Sequence, residues 1–461
     1  MRQPNLLITM ADDQRRTAWS GAGALAEPVH TPRLAALASR GTTFTRASHA
    51  GSPCGAVCVA SRAMLHTHCR PFGLPANAVS GQIDPAYIAP DCGRTLGRRL
   101  REAGYATLFV GKWHNNESPL IDSFDSGRRV FLGGMASHFQ TPLADLDGGA
   151  IRPSPLQGVH STEVFTQAAI ETLKSYAKGA FGDRPFCLFV AFTAPHDPRR
   201  THAVWHSRYP HADVQLPNNA WAAHPFDNGE SGVRDEMLAP WPRQAEQTRR
   251  EVADYYAMIE HMDQGIGRIH DELEQLGLER DTVVAHTADH GLAVGQHGLM
   301  GKQNLYEHSV GVPLILAGPS VSHNVVNHGL CYQHQLFPTL LELAGADLSD
   351  ESGAELFRSL APSLKDPEHP GADAVGCFYR DLQRSVTTST GKKLIRYAVG
   401  KHRWQQTFDL SVDPYETQPQ AEADDQHLLT VFSDWLGAAG DPDREKFVDP
   451  HARWSVPPTR G

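Results

Sequence analysis

A cysteine, Cys58, and an arginine, Arg62, stand four residues apart in this chain. If the segment is helical, both side chains lie on one face of its first turns. The N-terminus of a helix attracts anions, and a guanidinium group can hold a tetrahedral oxyanion such as sulfate or phosphate. The spacing therefore predicts a reactive side chain beside an anion-binding group.

Two other cysteine chemistries are disfavoured by the spacing. A zinc site could draw on five neighbouring side chains: Cys54, Cys58, His66, His68 and Cys69. Their spacing fits no common zinc pattern, and the segment that carries them is predicted to be a single helix. A tyrosine-phosphatase loop needs an arginine six residues after its cysteine, where this chain has Met64.

Acidic side chains occur in two further clusters, each directly after a predicted strand. Asp12 and Asp13 form the first cluster, and Asp289 and His290 form the second. Three carboxylates that meet at one point need a cation, because repulsion would otherwise raise their pKa values. Oxygen-rich ligation favours Ca²⁺ or Mg²⁺ over Zn²⁺. Either pair alone could equally be a solvated turn or a helix cap, but together they favour a metal site.

Basic side chains suited to ester hydrolysis follow other strands. The candidates are Arg62, Lys112, His114, His196 and Lys302. Hydrolysis of a sulfate monoester needs positive charge on the non-bridging oxygens and a proton for the leaving oxygen. Lysine and arginine suit the first task and histidine the second. Taken singly, each could be a surface or loop residue, and any one of 25 histidines carries little information.

The elements that must position these groups alternate between strands and helices. Strands are predicted over 5–10, 43–45, 105–110, 186–192 and 282–287, and helices over 31–41, 96–103 and 252–276. Thr31 is the predicted N-cap of the first helix and Gly41 its end. The alternation predicts an α/β fold with a large, mostly parallel central sheet flanked by helices. In open α/β sheets, ligands bind beyond the carboxyl ends of the strands, where the polar clusters lie.

The last quarter of the chain has a different pattern. Two adjacent strands over 393–400 and 406–410 predict a small antiparallel sheet. We therefore divide the chain into a catalytic domain over 1–370 and a smaller C-terminal subdomain over 371–461. A stretch rich in His, Pro and Trp, 200–248, is interpreted as a surface excursion that forms the lip of the pocket.

Composition limits the class of protein. The chain has 461 residues, of which 40% are hydrophobic and 20% charged, as in an ordinary globular protein with a large core. The net charge of −10 disfavours nucleic acid as a partner. No run approaches the roughly 20 apolar residues that span a bilayer, and the apolar run 6–10 is too short for a signal peptide, so we expect no membrane partner and a cytoplasmic protein. Seven scattered cysteines predict no disulfide framework.

The chain resembles a type I, formylglycine-dependent sulfatase of the alkaline phosphatase superfamily along nearly its whole length. The matching segments are 5–13, 58–62, 104–114, 195–198, 289–298, 302, 306–307, 312–315, 408–410 and 413–416. Two positions depart from the family pattern. Ala60 stands where proline is usual in the cysteine signature, which bears on maturation, and His68 stands where glycine usually ends the helix.

The resemblance implies a cofactor set. Cys58 would be converted to formylglycine by a maturation enzyme, and its hydrated aldehyde would carry the nucleophilic oxygen. Asp12, Asp13, Asp289 and His290 would bind a divalent cation, usually Ca²⁺, with Mg²⁺ or Mn²⁺ as alternatives. The substrate would be a small-molecule or carbohydrate sulfate ester.

The resemblance also implies a role for each basic side chain. Arg62 and the metal would activate one diol oxygen, and Lys112 would hold the sulfate oxygens. His196 and Lys302 would stabilise or protonate the departing alcohol. His114 would take a proton from the second diol oxygen, which expels sulfate.

Two alternative functions stay open at this point. Phosphonate monoester hydrolases and phosphodiesterases of the same superfamily resemble the chain in the same signature, but they have Gln directly after the first metal-site aspartate, where this chain has Asp13. This difference favours a sulfatase. The other alternative is a catalytically inactive binding protein that keeps Cys58 as a thiol.

Overall fold

The computed structural model describes residues 3–74, 95–155, 158–348, 358–420 and 425–458. The strands are β1 (Asn5–Ala11), β2 (Gly41–Ser48), β3 (Gly51–Ser52), β4 (Ala106–Lys112), β5 (Ser126–Phe131), β6 (Leu143–Asp147), β7 (Ala150–Ser154), β8 (Phe186–Ala191), β9 (Thr282–Ala288), β10 (Leu314–Ala317), β11 (Val325–Tyr332), β12 (Ala374–Tyr379), β13 (Gln383–Thr388), β14 (Lys392–Val399) and β15 (His402–Asp409). The helices are α1 (Pro32–Ser39), α2 (Val57–Thr67), α3 (Leu96–Glu102), α4 (Glu117–Ser123), α5 (Ser161–Ala177), α6 (Ala203–His206), α7 (Ala245–Gln275), α8 (Glu307–Val310), α9 (Leu336–Leu343), α10 (Ala361–Lys365), α11 (Gln426–Ala439) and α12 (Arg444–Val448). None of the helices in these ranges is long and apolar enough to span a membrane.

The larger sheet has ten strands in the order β11-β2-β10-β9-β1-β8-β4-β5-β6-β7. Its centre is parallel, because β1 pairs in parallel with β8 on one side and with β9 on the other. Antiparallel pairs involve β10 and, at the far edge, β6 and β7. The α/β fold with a mostly parallel central sheet is therefore confirmed.

The central strands are buried on both faces, which is why they read as apolar runs. All seven residues of β1 are buried, and so are all seven of β9. The long amphipathic helix α7 lies against α1 and α5. It starts at Ala245, one to two turns earlier than its apolar repeat predicts, and it ends before Gly277, whose φ of +69° fits the predicted cap.

The smaller sheet has the order β15-β14-β13-β12-β3. Strands β12 to β15 pair antiparallel in sequence, as predicted for the C-terminal part. Its edge strand β3 comes from the N-terminal part of the chain and pairs in parallel with β12. Since β3 precedes α2, the smaller sheet also supports the segment that leads into the cysteine helix. The division of the chain at residue 370 stays a prediction.

The first helix is capped differently from what its sequence predicts. Thr31 occupies the N-cap position, but its side chain caps no helix N–H and instead bonds with Ser20. Asp263 on α7 accepts from the backbone N–H groups of Arg33 at 3.0 Å and Leu34 at 2.8 Å. Gly41 is the first residue of β2, where a Cβ would lie 2.0 Å from a backbone oxygen of β10. Its small size serves sheet packing rather than a helix end.

The stretch 200–248 is only partly a surface excursion. Glu236 and Arg243 are buried and form an ion pair at 2.5 Å. The Glu236 carboxylate also accepts from the backbone N–H groups of Met300 and Gly301, both at 3.0 Å. This stretch therefore holds the loop that carries Lys302. Among the described residues, Cys54, Cys58, Cys187, Cys331 and Cys377 are free thiols, and Cys92 lies outside those residues.

Candidate active site

Two neighbouring strand ends supply the acidic side chains. β1 and β9 run in parallel register up to the pair Ala11↔Ala288, so the residues that follow them emerge side by side. Asp13 adopts a left-handed backbone, with φ of +76°, and its N–H donates to Asp289 Oδ1 at 3.1 Å. Asp12, Asp13 and Asp289 are each 1% exposed or less. The predicted convergence of three carboxylates is present in the structure.

Helix α2 brings the cysteine and the arginine to the same edge. Arg62 donates from Nε to Asp289 Oδ2 at 2.9 Å and from Nη1 to the backbone oxygen of Lys112 at 2.7 Å. Against the cost of burial, Asp289 and Asp12 raise the pKa of Arg62. The guanidinium thus ties the ends of α2, β4 and β9 together.

The Cys58 sulfur lies among basic groups from three other elements. Lys302 Nζ is 3.2 Å from the sulfur and His290 Nε2 is 3.1 Å from it. A ring nitrogen of His196, from the loop after β8, lies within 4.8 Å of the Cys58 sulfur. Cys58 is 2% exposed, so a group at this position reacts inside the protein and not at its surface.

Each lysine is paired with one of the carboxylates. Lys112 Nζ donates to Asp12 Oδ2 at 2.5 Å, and Lys302 Nζ donates to Asp13 Oδ1 at 2.9 Å. Burial alone would lower the pKa of Lys302, but Asp13 and the nearby Cys58 hold it well above its ordinary value. Lys302 therefore stays charged at neutral pH.

Two overlapping groups of buried side chains could hold a metal ion. Asp12, Cys58, Asp289 and His290 each offer an atom, and these four atoms lie within 4.8 Å of one another; the same holds for Asp12, Asp13, Cys58 and His196. Asp12 Oδ1 is buried without a hydrogen-bond partner. Burial, and next the charge of Asp289, raises the pKa of Asp12. An acceptor oxygen without a partner, beside a second carboxylate, suits a positive ion.

The two predicted proton-transfer histidines have opposite electrostatic surroundings. Burial alone would lower the pKa of His196, but chiefly Asp13 raises it to about 9. Burial and then the charges of Lys112 and Arg62 hold the pKa of His114 well below its ordinary value. At neutral pH, His196 carries a proton to give and His114 can receive one.

A cavity of about 390 Å³ opens onto this chemistry. Cys58, His114, His196 and Lys302 line its inner part, and the rest of its lining is Cys54, Gly55, Ala56, Val59, Gly134, Met135, Val233, Arg234, Asp235 and Gln303. Residues 233–235 of this lining lie in the stretch 200–248, which was predicted to form the lip of the pocket, and residues 134–135 come from the segment after β5. Sequence reasoning did not single out Arg234, although it pairs with Asp197 directly after His196. No local sequence signal marks that contact.

The ten predicted site residues are brought together, and their roles stay predictions. The side chains of the alternative zinc site, Cys54, Cys58, His66, His68 and Cys69, are not brought together as metal ligands. Among the described residues, only Cys58 of that set belongs to a group that could hold a metal. His68 takes the left-handed backbone of the helix end, with φ of +55°, in place of the expected glycine. Its ring stacks on Phe337 at 5.2 Å and does not line the cavity.

A mostly parallel sheet whose strand ends gather carboxylates and cations around a buried cysteine agrees with the resemblance to the alkaline phosphatase superfamily. The Sulfatase family model matches residues 4–346, and the chain belongs to the sulfatase family.

Named relatives cover most of the chain. It is 27% identical to the choline-sulfatase of Rhizobium meliloti, over 95% of this chain and 87% of that protein. It is 26% identical to arylsulfatase K of Bos taurus, over 90% of this chain and 77% of that protein. It is 24% identical to the N-acetylglucosamine-6-O-sulfatase of Bacteroides thetaiotaomicron, over 90% and 82%. The predicted enzyme class, a sulfuric ester hydrolase, is confirmed.

Solved structures share the fold at lower identity. One, solved in complex with its substrate D-glucosamine-2-N,6-O-disulfate, is 19% identical, with a TM-score of 0.76 over 96% of this chain and 100% of that chain. A phosphonate monoester hydrolase from Silicibacter pomeroyi is 19% identical, with a TM-score of 0.70 over 94% and 95%. A protein with a sulfated sugar as substrate and a phosphonate monoester hydrolase thus share this fold.

Proposed function

We propose that the protein hydrolyses an organic sulfate monoester to an alcohol and inorganic sulfate, with Cys58 matured to formylglycine. The observation that carries the proposal is the position of Cys58, in contact with His290 and Lys302 and bordering the cavity. Cys58 is a free thiol within the part of the chain that the structure describes. Charged Lys302 and protonated His196 beside this position suit a nucleophile that attacks an anionic ester.

A divalent cation would be held by Asp12, Asp13, Asp289 and His290. Oxygen-rich ligation favours Ca²⁺, with Mg²⁺ or Mn²⁺ as alternatives. When bound, such an ion supplies positive charge to an ester oxygen and lowers the pKa of a hydroxyl group beside it. The aldehyde hydrate of formylglycine supplies two hydroxyl groups, one for attack and one for release of sulfate.

The chain's own side chains bind the anion and move the protons. Lys302, 3.2 Å from the Cys58 sulfur, and Arg62, one turn further along α2, offset the negative charge of the ester. Protonated His196 donates to the departing alcohol oxygen, and its charge falls as the alcohol leaves. Neutral His114 accepts a proton when sulfate is released. The opposite pKa shifts of the two histidines support this division of roles.

A phosphonate monoester hydrolase is the second candidate, favoured by the fold similarity to that enzyme. Parallel rates on 4-nitrophenyl sulfate and 4-nitrophenyl phenylphosphonate separate the two candidates. A higher kcat/KM for the sulfate is expected. Preference for the phosphonate ester would replace the proposed function with the second candidate.

Peptide mass spectrometry across the cysteine segment tests the maturation step. Protein made with its native maturation enzyme should carry 3-oxoalanine at Cys58, while Cys54 in the same segment stays a thiol and serves as an internal control. A peptide that contains only unmodified Cys58, in protein that nonetheless binds the sulfate ester, would favour the inactive binding protein. The Cys58→Ala variant should have no turnover.

A further inference from the structure

One buried histidine outside the predicted site bonds directly to the backbone of His196. His138 is 3% exposed, and its Nε2 lies 2.9 Å from the backbone oxygen of His196. A carbonyl oxygen only accepts, so His138 Nε2 carries a proton and donates it. Burial lowers the pKa of His138 to about 4, which keeps its ring neutral at working pH.

The other ring nitrogen of His138 is fixed by hydroxyl groups. With Nε2 protonated, Nδ1 is the acceptor, and it lies 2.9 Å from Ser161 Oγ and 3.2 Å from Thr193 Oγ1. These two hydroxyl groups are 2.8 Å apart. His138 therefore holds the loop that carries His196 at two points, through a carbonyl oxygen and through the side chain of Thr193.

A second histidine extends the same support. The ring of His160 stacks on that of His138, with centroids 5.0 Å apart and planes 12° from parallel. His160 Nε2 donates to the backbone oxygen of Arg200 at 3.1 Å, and its Nδ1 accepts from Thr162 N–H at the start of α5. The stacked pair thus fixes both ends of the segment 196–200.

The ring of His196 is oriented by a hydrogen bond to the backbone of the next residue. Its Nδ1 lies 2.7 Å from the backbone oxygen of Asp197, and the peptide group just before that oxygen is the one whose carbonyl, that of His196, bonds to His138. The catalytic proton must be aligned with the leaving oxygen, and small misplacements of a catalytic group are costly in rate.

We infer that His138, supported by His160, is a positioning residue that sets the geometry of His196 as the acid for the leaving alcohol. The inference rests on the proposed function, because it assigns His196 that acid role. A bond to a backbone carbonyl changes no charge at the cavity, so its loss acts on orientation rather than on substrate binding.

The test compares variants on a series of aryl sulfates with leaving phenols of increasing pKa. His138→Leu removes the donor, and His138→Gln keeps an N–H group in the place of Nε2. We expect His138→Leu to lose about 10- to 100-fold in kcat for the poorest leaving groups, with far smaller losses for nitrophenyl sulfate and unchanged KM. His138→Gln should recover most of the loss.

The matched control is His224→Leu. His224 is half-buried, desolvation lowers its pKa to about 4, and its Nδ1 donates to a backbone oxygen, that of His297, at 3.1 Å. The His224→Leu variant should show the same dependence of kcat on the pKa of the leaving phenol as the parent protein. If His138→Leu does not fold, Ser161→Ala, which removes one hydroxyl, is measured instead with the same selective loss expected.

His196→Ala on the same series separates two kinds of failure. Selective loss in His196→Ala together with uniform loss in His138→Leu would overturn this inference alone. Uniform loss in His196→Ala would remove the acid role from the proposed function, and the inference with it. Selective loss in both variants, with recovery in His138→Gln, supports the inference.

Discussion

At the scale of single residues, two histidines of the site have pKa values shifted in opposite directions. Asp13 outweighs burial at His196 and raises its pKa, whereas burial, with the charges of Lys112 and Arg62, holds the pKa of His114 well below its ordinary value. Histidine can serve as acid or base near neutral pH, and neighbouring charges decide which. The proposed reaction needs one proton donor and one proton acceptor, and the two environments suit these proposed roles.

Asp289→Asn should abolish metal binding and activity together. Asp289 Oδ1 accepts from the N–H groups of Asp13 and His290, and Oδ2 accepts from Arg62 Nε. An amide can replace only one of these acceptor oxygens, and its NH₂ group would face the guanidinium or the backbone N–H groups. Metal content by atomic emission is measured beside the rate. Asp122→Asn, at an exposed position, is the control and should retain both metal and activity. A metal-loaded but inactive Asp289→Asn protein would contradict the assignment of Asp289 as a metal ligand.

Gly134→Ala should lower kcat without unfolding the protein. A Cβ at Gly134 would lie 2.4 Å from His114 Nε2, so the imidazole must shift to make room. Displacement of a proton acceptor by a few tenths of an ångström or more should cost about 10- to 100-fold in rate. Thermal unfolding and kcat are measured for Gly134→Ala and for Gly232→Ala, whose added Cβ meets nothing within 4 Å. Equal rates for both variants would show that His114 is not constrained at this contact.

The site residues divide into those that sequence could predict and those that it could not. Asp12, Lys112 and Asp289 end or directly follow apolar strands, and the rule that parallel strand ends meet at one edge is enough to predict that they converge. Gly134 and His138 lie in a loop whose path depends on contacts with α5 and with the loop after β8. Their partners are 20 or more residues away in sequence, and no periodicity marks them.

At the scale of elements, local capping rules compete with contacts from distant parts of the chain. Thr31 and Pro32 form a good local start for α1, yet the carboxylate that accepts from its first N–H groups belongs to Asp263. The predicted bounds of α1 were close, because Pro32 favours the first turn whichever group caps it. The capping partner could not be predicted, since it depends on how α7 packs against α1.

Asp263→Ala should destabilise the protein by about 1 to 3 kcal/mol, because two buried N–H groups lose their acceptor. Asp263→Asn, which keeps one acceptor oxygen, should cost less. The control is Asp271→Ala on the same helix, which removes an exposed ion pair with Arg33 and should cost under about 1 kcal/mol. Urea unfolding measures all three variants. An Asp263→Ala variant as stable as Asp271→Ala would mean that α1 is capped by water instead.

At the scale of the whole molecule, the two sheets are joined by a buried charge cluster as well as by β3. Lys393 on β14 of the smaller sheet contacts Glu307 and Glu416, each at 2.8 Å, and Glu307 also pairs with Arg16 beyond the end of β1. The family motifs at 306–307 and 413–416 meet here. Sequence comparison marks both motifs, but their physical connection through Lys393 becomes apparent only in the fold.

This cluster gives the two glutamates opposite pKa shifts. Burial raises the pKa of Glu416 from its ordinary value of 4.5 to about 7, more than Lys393 lowers it. Burial also acts on Glu307, but Lys393 and Arg16 outweigh it and lower that pKa to about 2. Between pH 4.5 and 7, the folded protein therefore holds a proton on Glu416 that the unfolded chain has released. Stability contributed at this position is full below that window and declines as the pH rises through it.

Glu416→Gln should remove this pH dependence, because the amide keeps an acceptor for the Glu307 N–H group but cannot ionise. Relative to the parent protein, the variant should gain stability as the pH rises from 4.5 to 7, at up to about 1.4 kcal/mol per pH unit. Glu307→Gln is the matched control with the opposite sign: its carboxylate is ionised throughout this window, so the variant should be less stable at every pH within it. Urea unfolding at half-unit pH steps gives both curves. A constant stability difference between Glu416→Gln and the parent across the window would show that Glu416 is ionised in the folded protein and that Lys393, not burial, dominates its environment.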